Sequence, residues 1–364
     1  MAKRVGVDKW LFGVVLLLVL FGLVTVFSAS AVMAQSTLGS PYPYVKKQAM
    51  WAFCGLIAMV LLMRVDYRRY NNPRVVFPAV AVTMLMLIGV FAVSGSHNTH
   101  RWVRFGDLFT FQPSELAKPV LILFLAYFLQ TRIHQMDDWK GTILRAVAVP
   151  LAFTALILKE PDLGTGLVCM AVTALMLYLA GARTKYFAIG AALAAPVLYY
   201  MLFFVKFRHD RMLAFINPEA DPRGTGFHIL QSLIAVGTGG IRGLGLMEGR
   251  QKLFYLPEVQ TDFIFANICE ELGLIGALLV VGLFVALGYR GLRAAFLSTD
   301  PFARFLAFGI TTAILIQAFF NMSVVLALVP TKGIPLPFIS SGGTSLFITL
   351  ASMGVLLNIT REID

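Results

Sequence analysis

Along this chain apolar positions neither alternate nor trace one face of a helix. They come as blocks of about twenty residues cut by short polar breaks. The blocks fall near 10–33, 47–63, 75–94, 113–131, 143–158, 163–181, 186–205, 262–289, 302–329 and 341–359. A helix crossing the hydrocarbon core of a bilayer needs roughly 20 such residues. The pattern therefore predicts an all-α polytopic integral membrane protein with about ten transmembrane helices. The first block, Trp10 to Met33, has 24 residues. A signal-peptide core has roughly 7–15, so an uncleaved span is expected. Only a tight turn fits at Lys159-Glu160-Pro161-Asp162, between blocks five and six.

Composition supports the same class. Charged residues make up 13% of the chain and hydrophobic ones 58%, against roughly 25% charged in a soluble domain. A net charge of +11 would suggest nucleic acid in a soluble chain. Here the cations segregate, and no nucleic-acid partner is expected. Sixteen Lys/Arg lie in the N-terminal segment, 64–74, 132–145, 183–185, 290–304 and the C-terminal segment, against six in the short segments on the other side. The positive-inside bias then predicts both termini in the cytoplasm. The long segment of about 206–261, between helices seven and eight, becomes a large extracytoplasmic loop. It is rich in glycine, and His228 to Val236 reads as a short interfacial or re-entrant helix. Cys54, Cys169 and Cys269 sit in apolar runs without paired spacing, and are expected as small buried residues.

Ionisable groups at membrane depth are costly, so each needs a reason. Glu115 and Lys118 are three apart at the start of the fourth block, on one helix face. The macrodipole opposes a lysine there, so Lys118 wants Glu115 or an anionic ligand as partner. Asp162 stands where a helix N-cap belongs. Asp262 lies at the outer edge of the eighth block. Apolar surroundings raise a carboxylate's proton affinity, which suits a general base; capping is the plainer alternative. Glu270 and Glu271 follow inside that block and must face the bundle, a polar cavity or a partner. Pro330 to Gly343 holds three prolines and three glycines with Lys332. Such irregular backbone survives at membrane depth only where protein buries it or a cavity lines it. Arg101 and Arg104 add two cations on the same side. Together these groups suit a substrate carrying phosphates, and leave open a transferase, a transporter and a scaffold.

The stretches RWVRFGDLFTFQPSELAKPVLILFLAYFL, KEPDLGTG, LPEVQTDFIFANICEELGLIG and NMSVVLALVPTKGIPLPFISSGGTSLF resemble the SEDS family (shape, elongation, division and sporulation proteins). They run in family order, and the resemblance covers essentially the whole chain, implying one transmembrane domain over 1–364. PTKG, LPFIS and EPDLGT look more like the cell-division branch than the elongation branch.

The resemblance implies a peptidoglycan glycosyltransferase of the bacterial cytoplasmic membrane that polymerises lipid II at the outer face. It also implies a class B penicillin-binding protein as partner, among other division or elongation proteins. It assigns the essential carboxylate to Asp262, and supporting positions to Glu115, Lys118, Asp162 and Lys332; Arg101 joins them from its place in the cationic cluster. Gln260 stands where the family commonly has His, and Ser341 where it commonly has Tyr. The five histidines, His97, His100, His134, His209 and His228, lack ligand spacing, so no resident metal is expected. A divalent ion, Mg or Mn, arriving with the pyrophosphate is compatible with the sequence. The alternatives are a lipid II flippase, which needs a path to the cytoplasmic leaflet and would be favoured by proton-relay carboxylates such as Glu270 and Glu271, and a non-catalytic division scaffold.

Overall fold

The computed structural model describes residues 6–93, 101–105, 109–253 and 255–362. His97 and His100 lie outside the described residues. Twelve α-helices are described: α1 (Lys9–Leu38), α2 (Pro43–Arg64), α3 (Pro73–Val93), α4 (Pro113–Arg132), α5 (Leu144–Lys159), α6 (Leu163–Leu179), α7 (Thr184–Phe203), α8 (Lys206–Ile216), α9 (Phe227–Gly239), α10 (Ile264–Leu297), α11 (Pro301–Val325) and α12 (Gly343–Ile359). Among the described residues nine helices are long and apolar enough to cross a membrane. The tenth expected span is α6, shorter at 17 residues.

Local chemistry sets the helix starts. Proline opens α2, α3, α4 and α11, where its missing N–H costs nothing. Asp8 caps α1 by accepting from Trp10 and Leu11 N–H, at 3.0 and 3.1 Å. Asp300 caps α11 through Phe302 N–H at 3.1 Å.

α11 is the centre of the bundle, packed on α4, α6 and α10, while α12 lies along α2. Between apolar helices in lipid, close approach of small residues replaces the hydrophobic drive. Gly354 of α12 sits against the Met59 backbone of α2, and Gly55 of α2 against Leu350 and Phe347 of α12. Gly309 of α11 likewise admits Ile122 and Met176. α7 is the opposite case: Tyr186 is the single buried residue of its twenty. Cys169 and Cys269 are buried, but Cys54 is exposed on α2, because its side of the helix faces away from the bundle.

The two ends of the bundle are distinct. At one end Asp8 N–H donates to Thr360 Oγ1 at 3.3 Å and Arg290 pairs with Asp8 at 2.6 Å. Tyr67 N–H donates to Asn358 at 2.9 Å there, and Arg68 pairs with Glu362 at 2.8 Å. Residues near both described ends thus share one end of the bundle. At the other end lie residues 101–105 and 109–112, the 160–162 turn, residues 206–253 and 255–263, and the 330–342 loop.

Two features depart from the sequence pattern. A small antiparallel hairpin, β1 (Val103–Phe105) with β2 (Phe109–Phe111), precedes α4. Thr344 at the start of α12 donates to its Thr110 carbonyl at 2.7 Å. The eighth span is also longer than expected and broken. α10 has 34 residues, and the part after its break, Leu274 to Leu297, is about 36 Å long at 1.5 Å per residue, enough by itself to cross a hydrocarbon core of about 30 Å. Gly273, at φ 63° and ψ −159°, interrupts the helix. The glycine-rich segment before it plugs the gap. Leu244 and Gly245 N–H donate to the Glu270 and Glu271 carbonyls at 3.0 and 2.9 Å, and Leu274 N–H donates to Gly240 at 2.9 Å. A Cβ at Gly239 or Gly243 would strike the Cys269 or Glu271 carbonyl. The glycines are therefore what lets backbone meet backbone there.

Candidate active site at the loop end

The loop end is built on two amides of α11, one turn apart. Gln317 donates from Nε2 to the Pro335 carbonyl at 2.9 Å and accepts from Lys118 Nζ at 2.6 Å. Asn321 donates to the Ile334 carbonyl at 2.7 Å and to the Asp262 carbonyl at 2.8 Å. The irregular 330–340 loop is thus tied to α11, and Asp262 is tied to the same point. Ser340 completes the fastening, with Oγ donating to the Thr261 carbonyl at 2.6 Å and accepting from Leu336 N–H at 2.7 Å. Ser341 N–H donates to the Gln260 carbonyl at 2.8 Å. The two positions that depart from the family pattern therefore adjoin each other.

Asp262 does not cap α10. The cap position is Phe263, and no side chain bonds the helix start. Among the described residues no hydrogen bond reaches the Asp262 carboxylate. Gly333 lies directly against it, so closely that a Cβ there would overlap it. Burial, then the neighbouring Glu258 charge, pushes the Asp262 carboxyl up to about 6, against the pull of Arg211 and Arg101.

Glu115 and Lys118 form an ion pair at 2.9 Å, both largely buried. Asp162 caps α6 by accepting from Thr165 N–H at 3.1 Å and Thr165 Oγ1 at 2.8 Å, and Gln112 Nε2 approaches it at 3.4 Å. Arg101 donates to the Glu160 and Pro161 carbonyls at 2.7 and 2.6 Å, closing the C-terminus of α5. Lys332 is half-buried, 5.8 Å above the Phe320 ring centroid. Burial, then Arg208, lowers its affinity for a proton to about 8, with Asp162 opposing and Arg211 assisting. Arg101 and Asp162 thus lie within electrostatic reach of Asp262 and Lys332 within reach of Asp162, while Glu115 and Lys118 join the same loop through Gln317 and the Pro335 carbonyl. No group of three or more His, Cys, Asp or Glu suited to a metal occurs among the described residues.

Sequence reasoning missed several of its parts. Gln317 and Asn321, polar and four apart in an apolar run, were a readable signal. Arg208 and Arg211 sat in a loop whose helix the hydropathy pattern does not show. Glu160 is fully buried with both carboxylate oxygens unbonded among the described residues. Burial, then the Asp162 charge, pushes its carboxyl up to about 8, with Arg101 opposing. Glu270 and Glu271 turn out to face the loop. Glu270 accepts from Arg250 N–H at 2.8 Å. Glu271 accepts from Lys252 at 2.6 Å and from Ser28 of α1 at 2.7 Å, all three buried.

The sequence profile of the FtsW/RodA/SpoVE family, described as "Cell cycle protein", matches residues 8–364. The chain belongs to this family. Among its FtsW/RodA/SpoVE relatives, the probable peptidoglycan glycosyltransferase FtsW of Geobacter metallireducens is 43% identical over 94% of this chain and 91% of its own. Stage V sporulation protein E of Bacillus subtilis is 39% identical over 99% and 98%. In structure, the chain resembles one from a peptidoglycan synthase complex that coordinates polymerization and crosslinking. The TM-score is 0.76 at 26% identity, covering 98% of this chain and 99% of that one. The rod shape determining protein RodA of Thermus thermophilus gives 0.71 at 25%, covering 98% and 97%.

Proposed function

We propose that this protein is a peptidoglycan glycosyltransferase that polymerises lipid II at the outer face of the bacterial cytoplasmic membrane, in septal wall synthesis, with Asp262 as general base. One observation carries the reading. Asp262 is held by its backbone while its carboxylate accepts no hydrogen bond among the described residues, faces the glycine of an irregular loop, and has cations around it. In the reaction Asp262 takes the proton of the acceptor sugar hydroxyl. The oxygen attacks the anomeric carbon of the donor, the bond from that carbon to the phosphate oxygen breaks, and the lipid pyrophosphate leaves with the electron pair. Lys332 and Arg101 offset its charge. The Glu115–Lys118 pair and the Asp162 cap hold α4 and α6 in place around the site.

The cytoplasmic placement of both termini rests on the Lys/Arg bias and on the shared side of Asp8 and Thr360. A class B penicillin-binding protein is the proposed partner, supported by the likeness to a chain of a synthase complex. The flippase reading is weaker, because Glu270 and Glu271 are engaged by backbone N–H groups, Ser28 and Lys252. Such fully bonded carboxylates suit a fastening better than a proton relay. The test is polymerisation of purified lipid II by wild type and Asp262→Ala, each with and without the partner. A base contributes roughly 10²–10⁴-fold, so glycan ladders should vanish in the variant. Normal ladders from Asp262→Ala would end the assignment of the base, and no ladder from folded wild type under any condition would end the enzymatic reading.

A further inference from the structure

A pyrophosphate-linked substrate brings its negative charge next to Asp262, so cations must receive it. Lys118 is already committed, to Glu115 at 2.9 Å and Gln317 at 2.6 Å. The cavity beside it, lined by Ile122, Ile314, Pro337 and Thr349, holds about 30 Å³. That is room for a water or two.

Positive charge gathers elsewhere. α8 carries Arg208 and Arg211, three apart and so on one face, both half-buried. Arg211 donates to the Thr331 carbonyl at 3.3 Å. This lays α8 on the 330–340 loop, beside Lys332 and two residues from Gly333, which touches the Asp262 carboxylate. Arg208 is within electrostatic reach of Lys332 and Arg101, and Arg211 of Lys332, Arg101 and Asp262. Among the described residues neither Arg208 nor Lys332 forms an ion pair with a carboxylate. Asp162 is occupied in capping α6. Half-burying Arg208 and Lys332 within reach of each other is unfavourable, and a bound anion offsets that cost.

We infer that Arg208, Arg211 and Lys332 form a pyrophosphate-binding site beside Asp262, carried by α8 on the 330–340 loop, with Arg101 at its edge. The inference rests on the preceding reading only in taking the substrate to be pyrophosphate-linked. Two guanidinium forks match the paired oxygens of a pyrophosphate, and Lys332 adds a compact charge.

The test is direct binding of undecaprenyl pyrophosphate and of inorganic pyrophosphate to the whole protein in nanodiscs of zwitterionic lipid. Wild type is compared with Arg208→Gln/Arg211→Gln and with Arg223→Gln/Arg242→Gln, which removes equal charge from the same segment. Both ligands should compete for one site. The first double variant should weaken both at least tenfold and the second by less than threefold. Equal weakening by the two variants, or none by the first, would overturn the site. Binding of inorganic pyrophosphate without the lipid would overturn the assignment to a lipid substrate. Arg208→Lys/Arg211→Lys covers the case in which the Gln variant fails to fold. With a wild-type thermal midpoint it should bind at least threefold more weakly, and wild-type affinity from it would overturn the role of the guanidinium forks. The readout is independent of catalysis. A wild type that binds but makes no glycan, with or without the partner, sinks the glycosyltransferase reading alone. Glycan made by a wild type whose Gln variant binds normally sinks the site alone.

Discussion

Asp262 and Glu271 stand nine residues apart on one stretch of chain, yet they meet opposite surroundings. Glu271 is buried with a lysine at 2.6 Å and a serine at 2.7 Å, and its neighbour Glu270 accepts backbone N–H groups. Those bonds fasten the 240–252 segment and α1 to the break in α10. Asp262 has its backbone fastened just as firmly, by Asn321, but among the described residues its carboxylate meets Gly333 and charges at a distance. On the proposed reading, the difference separates a carboxylate that holds structure from one kept available for chemistry. A full set of donors stabilises the charge and makes it inert. A missing set keeps the proton affinity high enough to take a proton near neutral pH.

The comparison breaks most visibly at the fastened end. Removing one partner of a buried ion pair costs roughly 3–5 kcal/mol. Lys252→Met or Glu271→Gln should therefore lower the thermal midpoint in detergent by many degrees, with activity lost alongside. Lys252→Met/Glu271→Leu should recover much of it; a single variant as stable as wild type would show that the pair fastens nothing. Asp262→Asn should do the reverse: abolish polymerisation and keep or raise the midpoint. A carboxyl whose proton affinity is raised in the folded state costs stability once the pH passes its ordinary value of 3.8.

The second prediction concerns pH. Asp262 must be ionised to act as base, so polymerisation should rise through about pH 6. Lys332 must be protonated to receive the leaving group, so it should fall again through about pH 8. Lys332→Arg should remove the alkaline limb and leave the acid limb in place. A flat profile between pH 5 and 9 would refute both roles.

A third carboxyl, Glu160, should give the mildest change on replacement. Glu160 is buried and its carboxylate is unbonded among the described residues, and Arg101 binds its carbonyl, not its side chain. Its carboxyl is neutral below about pH 8. Glu160→Gln should therefore keep polymerisation within about twofold at pH 7, as neutral isosteres do. From its ordinary 4.5 up to about 8 only the unfolded chain ionises, so wild type loses stability as pH rises through that window. Glu160→Gln should raise the midpoint at pH 8 and match wild type at pH 4.5. A large loss of activity would instead move Glu160 into the chemistry.

Much of this was legible in the chain. The span count follows from apolar block length, because lipid leaves backbone groups no partner but their own helix. The helix starts follow from Pro43, Pro73, Pro113, Pro301 and the caps Asp8, Asp162 and Asp300, since these act within one turn. The Glu115–Lys118 pair follows from its spacing. The Lys/Arg bias placed Asp262 and Lys332 on one side of the membrane.

Tertiary structure decided what depends on contacts between distant segments. The 34-residue α10 reads as one apolar run, and only the docking of Gly240 to Gly245 explains its break at Gly273. Glu271 and Asp262 are both carboxylates at the edge of apolar sequence. What separates them is Ser28, 243 positions away, and Lys252 for the one, and Gly333 for the other. Hydropathy and spacing report the cost of burying a charge, because that belongs to the residue itself. Whether the cost is met by a partner or kept as reactivity belongs to the residues the fold brings beside it.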